Sequence, residues 1–201
     1  VTLDGAVKSA FSARELHVPF NKMKIHKTQF PTTLTTLNFD ICRGNAEILP
    51  RQLLIGMVNT KAFQGEYNSS PFMFKHYNIK EIGLLINGER FPFEPLTMDF
   101  TNTSLNYAQI YQHFLKNIGQ DKRDQGCHVT MENYMFGNTL FAFDLSNDRS
   151  NNYHFYPPER GILSLEIKLR QAFAESLTLL VFACYNKILT IKNGAIEIKD
   201  I

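Results

Sequence analysis

Along most of the chain, apolar and polar residues alternate with a period of two between closely spaced turn signals, the pattern of short strands with one buried face. His17 to Ile25 is the first such segment, with Val18, Phe20, Met23 and Ile25 read as inward and Lys22 and Lys24 as outward. Thr33 to Phe39 follows, with Leu37 and Phe39 on one face and threonines, whose branched Cβ suits a pleat, at other positions. Gln52 to Val58 is nearly all apolar (Leu53, Leu54, Ile55, Met57, Val58), as expected of a strand covered on both sides. In Glu81 to Phe93 two strand patterns flank Asn87-Gly88, a pair that readily takes the two positive-φ positions of a type I′ turn, so this segment predicts a hairpin. Pro92 and Pro95 cannot donate to a ladder, which places the return strand at a sheet edge. Strand patterns resume over Thr139 to Leu145, Ile162 to Arg170 and Leu177 to Tyr185, and a last hairpin runs through Asn193-Gly194.

Two kinds of segment break this rhythm. Ser104 is placed to cap a helix in which Leu105, Ala108, Ile110, Tyr111, Phe114 and Leu115 recur at helical spacing until Gly119 ends it. Gln120 to Gly126 and Asn147 to Pro158 read as polar loops. The remaining interruption, Asn59 to Asn78, is about twenty residues long, beyond the usual length of a structureless loop. It carries Phe63, Tyr67, Phe72, Phe74 and Tyr77, too much apolar surface to leave in water. Either it folds back on its own sandwich or a neighbouring subunit covers it.

Eight or more short strands, one helix inside a connection and no βαβ alternation predict an all-β fold. The expected architecture is an antiparallel β-sandwich of jelly-roll type with one short helix inserted in a connection, a single jelly-roll domain over residues 1–201. Periodicity alone does not separate a jelly roll from an immunoglobulin-like sandwich. The absence of Trp removes the Cys…Trp…Cys core of true immunoglobulin domains.

Composition narrows the class. Of 201 residues, 44% are hydrophobic and 20% charged, enough to build a packed core. The net charge of +2 gives no push toward nucleic acid or membrane, and no specific nucleic acid contact is expected. Seventeen Phe against eight Tyr favour sandwich cores and subunit seams, since Phe brings area without a polar atom. Cys42, Cys127 and Cys184 are sparse and odd in number, which reads as reduced thiols and not a secreted disulfide framework. The sequons at Asn68 and Asn102 are short patterns of little weight. No apolar run reaches the roughly 18 residues of a membrane span, and no signal peptide is read. A chain opening at Val1 without Met is expected to be a processed product or a part of something longer.

Candidate chemistry is a blank. His17, His26, His76, His113, His128 and His154 show no zinc-like spacing with one another or with Cys, so no metal site and no cofactor is expected. Neither a nucleophile elbow nor a phosphate-binding glycine loop occurs. Asp121 and Asp124 lie in a charged loop with nothing to desolvate them, and Cys184 sits in an apolar strand as an inert residue. Lys22, Lys24 and Lys27 with His26 form a modest basic face, read as guarding an edge strand in preference to facing a packaged genome.

Several stretches stand in a fixed order along the chain: Pro50-Arg-Gln-Leu-Leu-Ile-Gly-Met-Val-Asn59, then Ala62-Phe63, Gly65, Tyr67, Pro71-Phe72 and Phe74-Lys-His-Tyr-Asn78. Leu85-Ile-Asn-Gly88, Pro95-Leu96, Asp99-Phe100, Gly137 and Thr139-Leu-Phe-Ala-Phe-Asp-Leu-Ser146 follow, then Gly161, Leu165, Glu166, Leu169 and Leu177. In these stretches the chain resembles the double jelly-roll major capsid proteins of Polinton/Maverick-type elements and adintovirus-like viruses. Each motif is weak alone; their shared order over roughly residues 15 to 190 makes them more specific. The resemblance falls on the C-terminal jelly roll of that family and implies a structural virion protein, not an enzyme. It further implies a homotrimeric, pseudo-hexagonal capsomer tiling an icosahedral shell, with other jelly-roll subunits and minor capsid or penton proteins as partners. The expected location is the virion, assembled in the host cytoplasm or nucleus. This chain departs from the family in length, since 201 residues suffice for one jelly roll. On this reading Phe63, Tyr67, Phe72, Phe74 and Tyr77 pack at the junction between neighbouring jelly rolls, against the plainer expectation that they fill one domain's core. The alternatives are a domesticated jelly-roll binding module, lectin-like or protein-interacting, and a cupin-like metalloenzyme, which the histidine spacing opposes.

Overall fold

A computed structural model describes residue 5 and residues 15–100, 106–121, 127–146, 157–192 and 195–200. Ser104 and Leu105 of the helix stripe, the Asn102 sequon, the Asn193-Gly194 turn and the middles of both polar loops lie outside the described residues.

The order of elements is β1 (Leu16–Phe30), β2 (Thr36–Cys42), β3 (Gln52–Asn59), α1 (Thr60–Phe63), β4 (Ile79–Ile86) and β5 (Glu89–Thr97), then α2 (Asn106–Asn117), α3 (Met131–Met135), β6 (Leu140–Asp144), β7 (Leu163–Leu169), β8 (Leu177–Lys192) and β9 (Ala195–Asp200). Strand pairing is nested. β4 pairs with β5, β3 with β6, β2 with β7 and β1 with β8, all antiparallel, so the chain folds back on itself like one long hairpin. That hairpin is rolled: β3 also pairs with β8, and β4 with β7. Two sheets result, β1-β8-β3-β6 and β2-β7-β4-β5, with β9 added to the far half of β8. This is a jelly roll.

The tip of the hairpin is Asn87-Gly88, with φ of 52° and 88° as the type I′ turn requires. Asn87 is held from outside the turn, since its Oδ1 accepts from Ile162 N–H at 2.9 Å and its own N–H donates to the Ile162 carbonyl at 2.9 Å. β5, with its two prolines, is an edge strand as expected. β7 shows why alternation specifies a face: Leu163, Leu165, Ile167 and Leu169 are buried while Ser164, Glu166 and Lys168 between them are not. Across the interior, Leu53, Ile55 and Met57 of β3 and Leu177, Leu179, Val181 and Ala183 of β8 complete the core. Helix α2 turns Ile110 and Phe114 into the same core, and its end is clamped where Asn117 Oδ1 accepts from Asp144 N–H at 3.0 Å and Gln52 Nε2 donates to the Asn117 carbonyl at 2.5 Å.

Two features differ from the sequence reading. First, single-turn helices α1 and α3 accompany α2; at four and five residues they are too short to leave a helical period. Second, β1 is read out of phase. Lys24 pairs with Ala183 and His26 with Val181, so the even-numbered residues face the core side, Lys22 and Lys24 among them. Met23 and Ile25 therefore lie on the outer side, 60% and 59% exposed. Side chains alternate strictly along an unbulged strand, so a set counted from Val18 and Phe20 cannot include odd residues. β1 is nevertheless an edge strand, as its lysines suggested.

Candidate subunit interface

The aromatic segment begins where β3 ends. Asn59 caps α1, its Oδ1 accepting from Lys61 N–H at 2.8 Å, and Thr60 is tied to β8 through its N–H to the Ser176 carbonyl at 3.0 Å and its hydroxyl to that of Thr178 at 3.0 Å. These bonds lay α1 on the outer face of the first sheet. There Ala62 and Phe63 join Val58, Leu180 and Phe182 in a small apolar cluster. The Lys27 ammonium stands 5.8 Å from the Phe63 ring centroid, within cation–π range. Such a layer explains why β3 is apolar on both sides.

Phe74 belongs to the same cluster, and its backbone is held on both sides: its N–H donates to the Gly137 carbonyl at 2.7 Å and its carbonyl accepts from Thr139 N–H at 3.0 Å. Lys75 N–H donates to the Met57 carbonyl at 3.1 Å. Beyond it the His76 ring stacks on Phe100 with centroids 4.2 Å apart, and Tyr77 meets Phe173 edge-on at 6.3 Å. Burial, with a smaller effect of Glu175, pushes the Tyr77 hydroxyl up to about 12.

The five aromatics thus divide. Phe63, Phe74 and Tyr77 are packed against their own sandwich. Tyr67 is 100% exposed and Phe72 77% exposed. The structure adds Phe136, 73% exposed, which stands two residues before Asn138 as Phe72 stands two before Phe74; Phe74 and Asn138 form a parallel bridge. Met73 and Phe136 line one shallow, mainly apolar hollow of about 380 Å³ together with Tyr77 and Met135. Sequence reasoning missed Met73 and Phe136, because only the bridge at Phe74 brings the α3 turn beside the aromatic loop. The one legible signal was the apolar cluster Tyr134-Met135-Phe136 before Gly137.

The described histidines do not gather. His17 contacts the Thr190 hydroxyl at 3.2 Å, His26 stands edge-on to Phe39, and His113 edge-on to Phe143. Among the described residues no three His, Cys, Asp or Glu side chains are grouped to hold a metal. Burial lowers the pKa of His26, His76 and His113 and raises that of the Cys42 and Cys184 thiols. No described helix is long and apolar enough to cross a membrane.

Comparison with solved structures gives the fold a context. A chain of the Sputnik virophage superposes with a TM-score of 0.59, at 14% identity, over 92% of this chain and 39% of that one. The PBCV-1 virus capsid matches at 0.55 and 10% identity over 99% of this chain and 55% of that one. The mavirus major capsid protein matches at 0.52 and 10% identity over 92% and 41%. The chain has the jelly-roll fold of viral capsid proteins. It spans about two fifths to a little over half of these solved chains. Among curated proteins, an uncharacterised protein of Caenorhabditis elegans is 25% identical over 126 residues, 61% of this chain and 29% of that protein. No protein-family profile matches.

Proposed function

We propose that the chain is a structural virion protein, one jelly-roll unit of a major capsid protein of the double jelly-roll lineage, and that it carries no catalytic activity. The nested eight-strand order, matched over nearly the whole chain to viral capsid structures, is the observation that supports this reading. The ordered motifs that resemble Polinton/Maverick and adintovirus-type proteins favour that branch and its C-terminal jelly roll. On this reading the unit packs against a second jelly roll, three such pairs form a capsomer, and minor capsid or penton proteins meet it in the shell. Tyr67, Phe72 and Phe136 are the exposed anchors of the junction, while Phe63, Phe74 and Tyr77 shape it from beneath.

Light scattering followed by electron microscopy of the purified chain tests this. Trimers or closed particles are expected, and their loss in the Phe72→Ser/Phe136→Ser double variant. A monomer at all concentrations, indifferent to that substitution, overturns the assembly reading for this chain. The similarity to a nematode protein favours one second reading, a jelly roll domesticated in an animal genome as a binding module. A monomer that captures one defined cellular protein through the same surface would support it.

A further inference from the structure

The first strand leaves one edge open. β1 pairs with β8 from Leu16 to Phe30 without a bulge and ends its sheet, so beyond Pro19, which has no N–H, backbone N–H and C=O groups of alternate residues are presented along the edge. Side chains beside that edge sort by parity. Lys22 and Lys24 project on the core side, into a groove of about 430 Å³, where Lys187 and Arg160 add positive charge and Glu47 is the one acid among the described lining residues. Among the described residues Lys22 and Lys24 make no ion pair. Like charges two apart on one strand face repel, and Glu47 alone stands against four cations among the described lining residues. On the other side of the same stretch, Met23 and Ile25 expose apolar surface.

We propose that β1 accepts an extended segment of another polypeptide as an added strand, with acidic side chains at every second position facing Lys22 and Lys24 and apolar ones facing Met23 and Ile25. Backbone bonding along the edge would supply affinity and the alternating charges would select the segment. Charge argues against a second copy of β1. Paired antiparallel about Met23, Lys22 would stand opposite Lys24 of the copy, and paired parallel in register each lysine would face itself. Nucleic acid matches the charge of the groove but offers neither the backbone ladder nor a partner for Met23 and Ile25. This inference does not depend on the capsid reading.

The test uses the whole chain and a labelled nine-residue peptide with Glu at alternate positions and Val or Thr between, followed by fluorescence anisotropy. The Glu peptide is expected to bind, more weakly as salt is raised. The Lys22→Glu/Lys24→Glu variant, with unchanged circular dichroism and melting, is expected to lose about tenfold or more in affinity and to prefer the matching Lys peptide. Of two peptides N-methylated at alternate residues in opposite registers, one is expected not to bind, because the methyl removes the donors that face the strand. Equal binding of both N-methylated peptides, or of an oligothymidylate, would reduce the groove to a general polyanion site and overturn the proposal. No binding of the Glu peptide, unchanged binding by the charge-reversed variant, or self-association through β1 instead would overturn it as well.

Discussion

The ring of Phe74 rests on the backbone of Gly56, so closely that a Cβ built on Gly56 would lie 2.7 Å from Phe74 Cδ1. This contact decides which aromatics of the long loop stay at home. It anchors the loop on the outer face of the first sheet, and the bonds of Phe74 to Gly137 and Thr139 then carry the α3 turn alongside. Phe72 and Phe136 are both left on the surface.

A side chain at position 56 should therefore dislodge the loop. Gly56→Ala is expected to cost about 1–3 kcal/mol, because Phe74 and Leu140 must both give way. Phe74→Ala is expected to cost a similar amount, and the double variant less than the sum, since both changes break one contact. Urea unfolding of the set measures this; strict additivity would deny the contact.

The exposed rings should behave in the opposite way. Phe72→Ser and Phe136→Ser are expected to leave the stability of the isolated chain within about 0.5 kcal/mol, as surface substitutions do. Their effect should appear only in light scattering, as lost assembly. A large fall in melting temperature would show that these rings are part of the sandwich core.

Burial holds His76 below its ordinary range, and burial followed by Lys116 does the same for His113. Because the folded pKa is the lower one, the unfolded chain takes up protons first as the pH falls. Stability is full above the unfolded imidazole value of about 6.5 and declines as the pH drops from there through the folded value. Melting temperature is expected to fall between about pH 7 and 5, and His76→Phe, which keeps the stack on Phe100, to flatten part of that slope. An unchanged slope would remove His76 as a source of acid lability.

The hairpin tip offers a local check. Asn87→Ala loses the side-chain acceptor for Ile162 N–H and places an alanine at φ of 52°, for an expected loss of about 1–3 kcal/mol. Asn87→Gly keeps the turn and should cost less. Equal losses in thermal unfolding would mean that the Ile162 bond alone matters.

The chain's own pattern determined the strands with one wet face. Leu163 to Leu169 alternates because a strand half in water must, and Asn87-Gly88 with Pro92 and Pro95 named a hairpin and its edge from backbone chemistry alone. Local residues therefore carried the all-β class and most strand positions. What they did not carry was partnership between distant segments. That Lys24 lies opposite Ala183, that Phe74 covers Gly56, and that Phe136 lines one hollow with Met73 are relations between segments apart in the chain. Nothing in a sequence period marks which aromatic finds a glycine to rest on. Burial is a property of the closed sandwich, so only the tertiary structure could separate Phe63, Phe74 and Tyr77, which it covers, from Tyr67 and Phe72, which it leaves exposed.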